Sequence, residues 1–213
     1  MIGDVEDMEE IKKIKAADSM GALSAAEKKN AITSMIEKRN SAGRAAATVK
    51  TGGTEMERVN RILQNRIYRS CLQKIEECEK ERIFCRHDMT HFLDVARLAY
   101  ILNLEESCGI KKDCIYACAL LHDVGRHIQY TQNVPHEQAG LPIASDIMQE
   151  CGFKEPDREM ILDAIANHRN AEIKGERNLK GLLYRADKMS RICFACKAQD
   201  ECYKVVEKRR MEL

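Results

Sequence analysis

The stretch that most constrains this chain is ALLHDVGR, residues 119–126. It closes a run from Ile110 to Leu121 in which Cys114 and Cys118 alternate with Ile115, Ala117 and Ala119, small apolar side chains suited to helix packing. The run is read as a helix that enters the core and delivers His122 and Asp123 as neighbours before Gly125 opens a turn. A carboxylate carried into a core needs a partner, because desolvating an unpaired charge is costly. A divalent cation meets that need, and a nitrogen plus a hard oxygen suits Mn, Fe, Co or Zn better than a thiolate-only site would. His-Asp pairs are common on surfaces, so this one gains weight from its company: His91 upstream, then His136, His168 and Asp187 downstream.

Helical period governs the chain from Met56. Val59, Ile62, Leu63, Ile67, Cys71, Leu72 and Ile75 follow the three-and-four spacing of an amphipathic helix facing a core. His87 and His91 stand four apart, which would put both on one helix face. Val95, Leu98 and Ala99 continue the helix of His91 at core spacing. His87 sits in the charged run RHD and is read as a surface residue, a substrate contact or a helix start, with Asp88 or Thr90 as cap. Residues 128–140, IQYTQNVPHEQAG, read as a loop that brings His136 to the start of a helix over 137–151. Gly152 and Pro156 end that helix, and Asp157 is expected to cap the next. Met160, Ile161, Ala164 and Ile165 then lead inward to His168, and the polar loop 169–178 could line a cleft. A last helix over 179–191 buries Leu182 and Leu183 and brings Asp187 to a depth that demands a metal, Arg or Lys partner. Arg126, Lys188 and Arg191 are candidate phosphate contacts; pairing with a carboxylate or plain solvation is the competing reading of each.

Charge and composition remove several classes of function. The net charge of +1 sets up no field for nucleic acid or an acidic membrane. No apolar run approaches the ~20 residues of a membrane span. The opening MIGDVEDMEE is acidic where a signal peptide is basic and then apolar. Ten cysteines without an export signal point to a reduced, cytoplasmic protein rather than a disulfide scaffold. Residues 1–55 carry nine acidic and nine basic side chains, and the first aromatic is Tyr68. Two pieces, 4–15 and 24–39, look helical, and 41–54 reads as a linker, so 1–55 is expected to be a poorly ordered leader to a domain over 56–213. Translation starting at Met56 is the alternative account of that leader.

Taken in order, HFLDVARLA, LLHDVGR, PHEQAG, ILDAIANHR and LLYRADKMSR resemble the ligand motifs of the HD-domain metal-dependent phosphohydrolases, over roughly Met56 to Arg191. The resemblance implies an all-α, HD-like helical bundle with a metal site in its core. It implies His91, His122, Asp123 and Asp187 as metal ligands, and places His136 and His168 where two-metal members carry the ligands of their second ion. A pair of divalent ions is therefore expected, Mn or Fe foremost, with Co, Ni, Zn or Mg as further candidates. The implied chemistry is hydrolysis of a small phosphorylated, nucleotide-like substrate by a metal-activated hydroxide, with Asp123 and Arg126 catalytic and Arg126, Lys188 and Arg191 on the substrate. Two rivals stand beside it: a non-catalytic, metal-stabilised nucleotide-binding or sensor module, and a di-iron oxygenase. There is no GxxxxGK phosphate loop and no serine nucleophile elbow. Arg169 and Asn170 follow His168 where cyclic-dinucleotide phosphodiesterases of this superfamily carry a tandem-His and Gly-Tyr-Pro pattern.

The segment CFACKAQDEC adds Cys193, Cys196 and Cys202. Two thiols two residues apart with a third close by form most of a zinc or iron–sulfur site, and Cys85 or Cys78 are the candidates for a fourth ligand. Reduced thiols or a redox-sensitive cluster are the alternatives.

Overall fold

The computed structural model describes residues 56–202, 204 and 209–211. The expected leader over 1–55, with its helices and linker, lies outside the described residues. Among the described residues the regular elements are α-helices and two short 3-10 turns, the all-α class that the helical period implied. The helices are α1 (Glu57–Gln64), α2 (Arg66–Cys78), α3 (Met89–Glu105), α4 (Lys112–Leu121) and α5 (Arg126–Gln132). They continue with α6 (His136–Glu150), α7 (Asp157–Asn167) and α8 (Leu179–Met189), with 3-10 turns at Ala171–Gly175 and Cys193–Ala195.

The bundle is built around α4, which packs against α1, α3, α7 and α8. From Asp113 to Leu121 every residue of α4 except Tyr116 is buried. Ala117, Cys118 and Ala119 keep it thin, so neighbouring helices approach closely. Phe92, Val95, Ala96 and Ala99 of α3, Ile161, Ala164 and Ile165 of α7, and Leu182, Leu183 and Ala186 of α8 complete the core. Burial of each large aliphatic side chain among them contributes roughly 1.5–3 kcal/mol.

Four local expectations need correction. The single helix expected over 59–75 breaks at Asn65, whose backbone is extended and whose side chain accepts from the Ile67 and Tyr68 amides. The break shifts the helical phase and leaves Ile67 exposed rather than in the core. Residues 128–132, expected as the first part of a loop, belong to α5. The connection expected over 102–109 is mostly the end of α3, which runs on to Glu105. Asp157 begins α7 but does not cap it.

The Asp157 carboxylate is taken instead by Arg58, 3.1 Å away, and Lys111, 2.9 Å away. Arg58 also pairs with buried Asp113 of α4 and stacks its guanidinium over Phe153 at 4.2 Å. One cation of α1 thus neutralises two carboxylates on α4 and α7. Removing one member of such a cluster strands the others in a poor dielectric, which costs more than the intact pair contributes. Arg58→Ala is expected to lower unfolding free energy by about 3 kcal/mol, the low end for a partly buried pair, in a urea titration with unchanged m-value.

Candidate metal centre

Helix ends bring the predicted residues to one place. His122 is the C-cap of α4 and His168 the C-cap of α7. His136 is the first residue of α6. His91 lies in the first turn of α3, where the Asp88 side chain accepts from the His91 amide at 3.0 Å, making Asp88 the cap. Asp187 belongs to the last turn of α8. The α4–α5 turn is pressed against α6: a Cβ on Gly125 would fall on the His136 carbonyl and 2.6 Å from the Gly140 nitrogen. Only glycine lets Asp123 and His136 come this close.

Asp123, 1 % exposed, sits at the middle with its two oxygens facing different partners. Oδ2 lies 3.2 Å from His122 Nε2 and 3.8 Å from His91 Nε2, and His91 Nε2 is in turn 3.6 Å from Asp187 Oδ1. Oδ1 lies 3.0 Å from His136 Nε2 and 3.8 Å from His168 Nε2. Two groups of donors therefore share one carboxylate, His91–His122–Asp123 and Asp123–His136–His168, each compact enough to hold one ion.

The outer ring nitrogens decide which tautomer each histidine adopts. His122 Nδ1 donates to the Ala119 carbonyl at 2.7 Å and His168 Nδ1 to the Ile165 carbonyl at 2.7 Å. His136 Nδ1 donates to Gln129 Oε1 at 2.6 Å. His91 Nδ1 lies 3.2 Å from Ser190 Oγ, which itself donates to the Asp187 carbonyl at 2.8 Å. With Nδ1 protonated and committed, each neutral ring turns an Nε2 lone pair inward, the arrangement outer partners impose on metal-binding histidines. His136 Nε2 and His168 Nε2 face each other at 3.0 Å, which two lone pairs tolerate only with a cation or proton between or beside them. His91 Nε2, His122 Nε2 and Asp123 Oδ1 are all buried without a well-formed hydrogen bond. Such orphaned atoms fit a divalent cation and little else.

Electrostatics agree with a centre that wants positive charge. Burial, reinforced by His122, pushes His168 down to about 3 and His91 down to about 4, so both rings are neutral at physiological pH. At His122 burial opposes the charge, but the adjoining Asp123 carboxylate outweighs it and pulls the ring upward. Burial would raise Asp123; His122 and Arg126 overcome it and hold the carboxyl well below the usual range. Asp187 is likewise held down, against burial, by Lys188, His122 and Arg191.

The expected substrate contacts lie at this centre and are occupied by its carboxylates. Arg126 Nε is 3.2 Å from Asp123 Oδ1. Lys188 pairs with Asp187 Oδ2, and Arg191 lies 3.6 Å from the same oxygen. The loop 169–178 is tied back to α8, since Arg185 donates to the Lys174 and Glu176 carbonyls at 2.7 and 2.9 Å. Cys193, Cys196 and Cys202 line a separate cavity together with Cys85.

Sequence reasoning undervalued one residue and missed its partners. His87, read foremost as a surface histidine, is buried, with Nε2 3.7 Å from Asp123 Oδ2. Its Nδ1 pairs with Glu79 Oε1, and its amide donates to Glu79 Oε2 at 2.8 Å. Tyr130 of α5 donates to the same carboxylate at 2.5 Å. Burial alone would raise Glu79, yet bonds from His87 and Tyr130 hold it at about 2. The four-residue spacing of His87 and His91 was the available signal.

A family model of the HD domain matches residues 89–192. An uncharacterized protein of Clostridium beijerinckii (strain ATCC 51743 / NCIMB 8052) is 42% identical over 158 residues, 74% of this chain and 99% of the relative. A predicted HD superfamily hydrolase from an uncultured Thermotogales bacterium, solved by crystallography, is 23% identical with a TM-score of 0.49. That match covers 67% of this chain and 81% of the other.

Two outcomes follow from the tautomer geometry. Gln129→Leu, which frees His136 Nδ1, should weaken binding of one metal equivalent about 10–100-fold in a chelator competition. In chelator-treated protein, unfolded histidines take up protons near their ordinary pKa of 6.5, while His91 and His168 refuse them down to about 4 and 3. The unfolded state then binds more protons at these two sites, so their contribution to stability is full above 6.5 and falls as the pH drops toward 4, with the raised His122 acting in the opposite direction. Urea midpoints at pH 7 and pH 5 that coincide would contradict this.

Proposed function

The chain belongs to the HD-domain superfamily, and from that premise we propose that it hydrolyses a phosphoester or phosphoanhydride bond in a small nucleotide-like substrate. The observation that carries the reading is the two-sided use of Asp123, one oxygen toward His122 and His91 and the other toward His136 and His168. His91, His122, Asp123 and Asp187 would hold one divalent ion and Asp123, His136 and His168 a second, Mn or Fe by the mixed nitrogen and oxygen donors. When bound, such ions supply an acidified water and Lewis acidity toward phosphoryl oxygens.

The chain's own residues provide the remaining parts. Arg126 stands beside Asp123 with its side chain 20% exposed, and its guanidinium would hold a phosphoryl oxygen. Lys188 and Arg191 add positive charge on the Asp187 side. His87, held at Nδ1 by Glu79, presents Nε2 to the same space and can pass a proton to a leaving oxygen. The loop that ends at His87 also lines a cleft of about 560 Å³ whose wall carries Lys80, Arg82, Arg86 and Lys197 beside Glu81 and Glu201, a surface with a net positive balance that would accept outer phosphates.

Elemental analysis of protein purified without added metal or chelator, with a screen of nucleotide hydrolysis in air and under argon, tests the reading. About two equivalents of Mn or Fe are expected at the His/Asp centre, with one lost in His136→Ala, and turnover that proceeds without oxygen. Asp123→Ala should reduce hydrolysis by more than about 100-fold while the far-ultraviolet circular dichroism stays that of a folded helical protein. Wild-type turnover in that variant would refute the mechanism. Oxygen consumption linked to turnover would move the oxygenase forward, and metal without any turnover would favour the sensor module.

A further inference from the structure

Cys85, Cys193, Cys196 and Cys202 line one small cavity together with Lys204 and Arg209. Three of the thiols come from the Cys-x2-Cys-x5-Cys segment after α8, and the fourth arrives from the loop between α2 and α3, 108 residues earlier than Cys193. We propose that these four cysteines form a structural metal centre, a tetrathiolate site that holds one zinc ion and is separate from the His/Asp centre.

Four observations converge on this. The cavity measures about 20 Å³, room for one water-sized body, which suits a single ion better than a four-iron cluster. Tight turns shape the ligand segment: the Ala195 amide donates to the Ile192 carbonyl at 3.0 Å, Cys196 to Cys193 at 3.2 Å and Cys202 to Gln199 at 3.3 Å. Such turns fold the short motif back on itself, so that its three cysteines share one cavity wall. Charge is provided for as well. Four thiolates around a dication leave two negative charges, and Lys204 and Arg209 stand in the lining. Arg209 also clamps the segment, donating to the carbonyls of Lys204, Gln199 and Cys202 at 2.8, 2.9 and 2.8 Å.

The fourth observation concerns what else could hold this segment down. Among its described residues after Ser190 only Cys193 and Ala198 are buried, while Ile192, Phe194 and Met211 are exposed. A segment with so little apolar burial does not order itself by packing, and metal ligation is the usual substitute. All ten cysteines are free thiols, so no disulfide takes that role. Each ligand thiol would release its proton on binding.

The site would also serve the first one. Cys85 lies two residues before His87 and six before His91, and Cys193 lies six after Asp187. Binding one ion would staple the entrance of α3 to the exit of α8, the two helices that carry His91 and Asp187.

The test uses the full chain purified under reducing conditions, in an Asp123→Ala background that weakens the His/Asp centre so that the outcome does not depend on the hydrolase reading. About one equivalent of zinc is expected to remain and to be lost in Cys196→Ser. Cobalt(II) exchanged into the protein should show intense sulfur-to-metal charge-transfer absorption, reduced in Cys85→Ser, where an exposed thiol is replaced and no packing is lost. Absence of bound metal, or a cobalt spectrum without thiolate absorption, would overturn the proposal. Iron with acid-labile sulfide would overturn its assignment to a single ion.

Discussion

The structure depends on one carboxylate that ought not to be where it is. Asp123 is almost wholly withdrawn from water, and an unpaired anion there would be far too costly to tolerate. It is supported by a guanidinium on one side and by imidazoles arranged around both of its oxygens. A recurrent local device orients those rings. His122, His127 and His168 each bond Nδ1 to the carbonyl three residues earlier. His122 and His168 are each the C-cap of their helix, where those carbonyls lack intrahelical partners, so the same bond satisfies the helix end and fixes the tautomer. At His122 and His168 the freed Nε2 meets Asp123, whereas His127 makes the identical bond from a half-buried position near Lys74. What separates a candidate ligand from a structural histidine here is the buried carboxylate opposite it.

A second layer governs how firmly the first is held. Gln129 and Tyr130 both come from α5, a helix with no buried residue of its own. Gln129 fixes His136, and Tyr130 fixes Glu79, which in turn fixes His87. A helix with no fully buried residue thus orients side chains on two sides of the centre, and any loosening of α5 would reach His136 and His87 together.

Which parts were legible in the sequence follows from this geometry. His122, His168 and Asp187 stand at or near helix ends that an apolar run leads into, and His91 and His136 stand at helix starts that an apolar run follows. The buried α4 announced itself by its small apolar residues. Helix α5 left no such mark, since it has no apolar stripe to read. The break at Asn65 was concealed because the apolar spacing continues across it, although asparagine is a favoured N-cap. Glu79 and Arg58 could not be placed because their partners lie elsewhere in the fold: Arg58 meets Asp113 and Asp157, and Glu79 meets Tyr130 fifty-one residues on. Cys85 was one of two candidates for a fourth thiol, and the fold sets it, rather than Cys78, in the cavity wall with the distant Cys193 segment.

Charge around the centre bears on what kind of substrate can bind. Asp123, Asp187 and the Glu79 behind His87 contribute three negative charges, and Arg126, Lys188 and Arg191 set three positive ones against them. The charged side chains therefore balance before any ion enters. Adding one divalent ion, and still more a second, makes the site strongly positive in a water-poor environment where Coulomb forces are weakly screened. A polyanionic phosphate relieves that excess and a neutral molecule does not. The cations paired with Asp187 thus argue on electrostatic grounds for a phosphorylated substrate over the uncharged ones an oxygenase could accept, independently of the family to which the chain belongs.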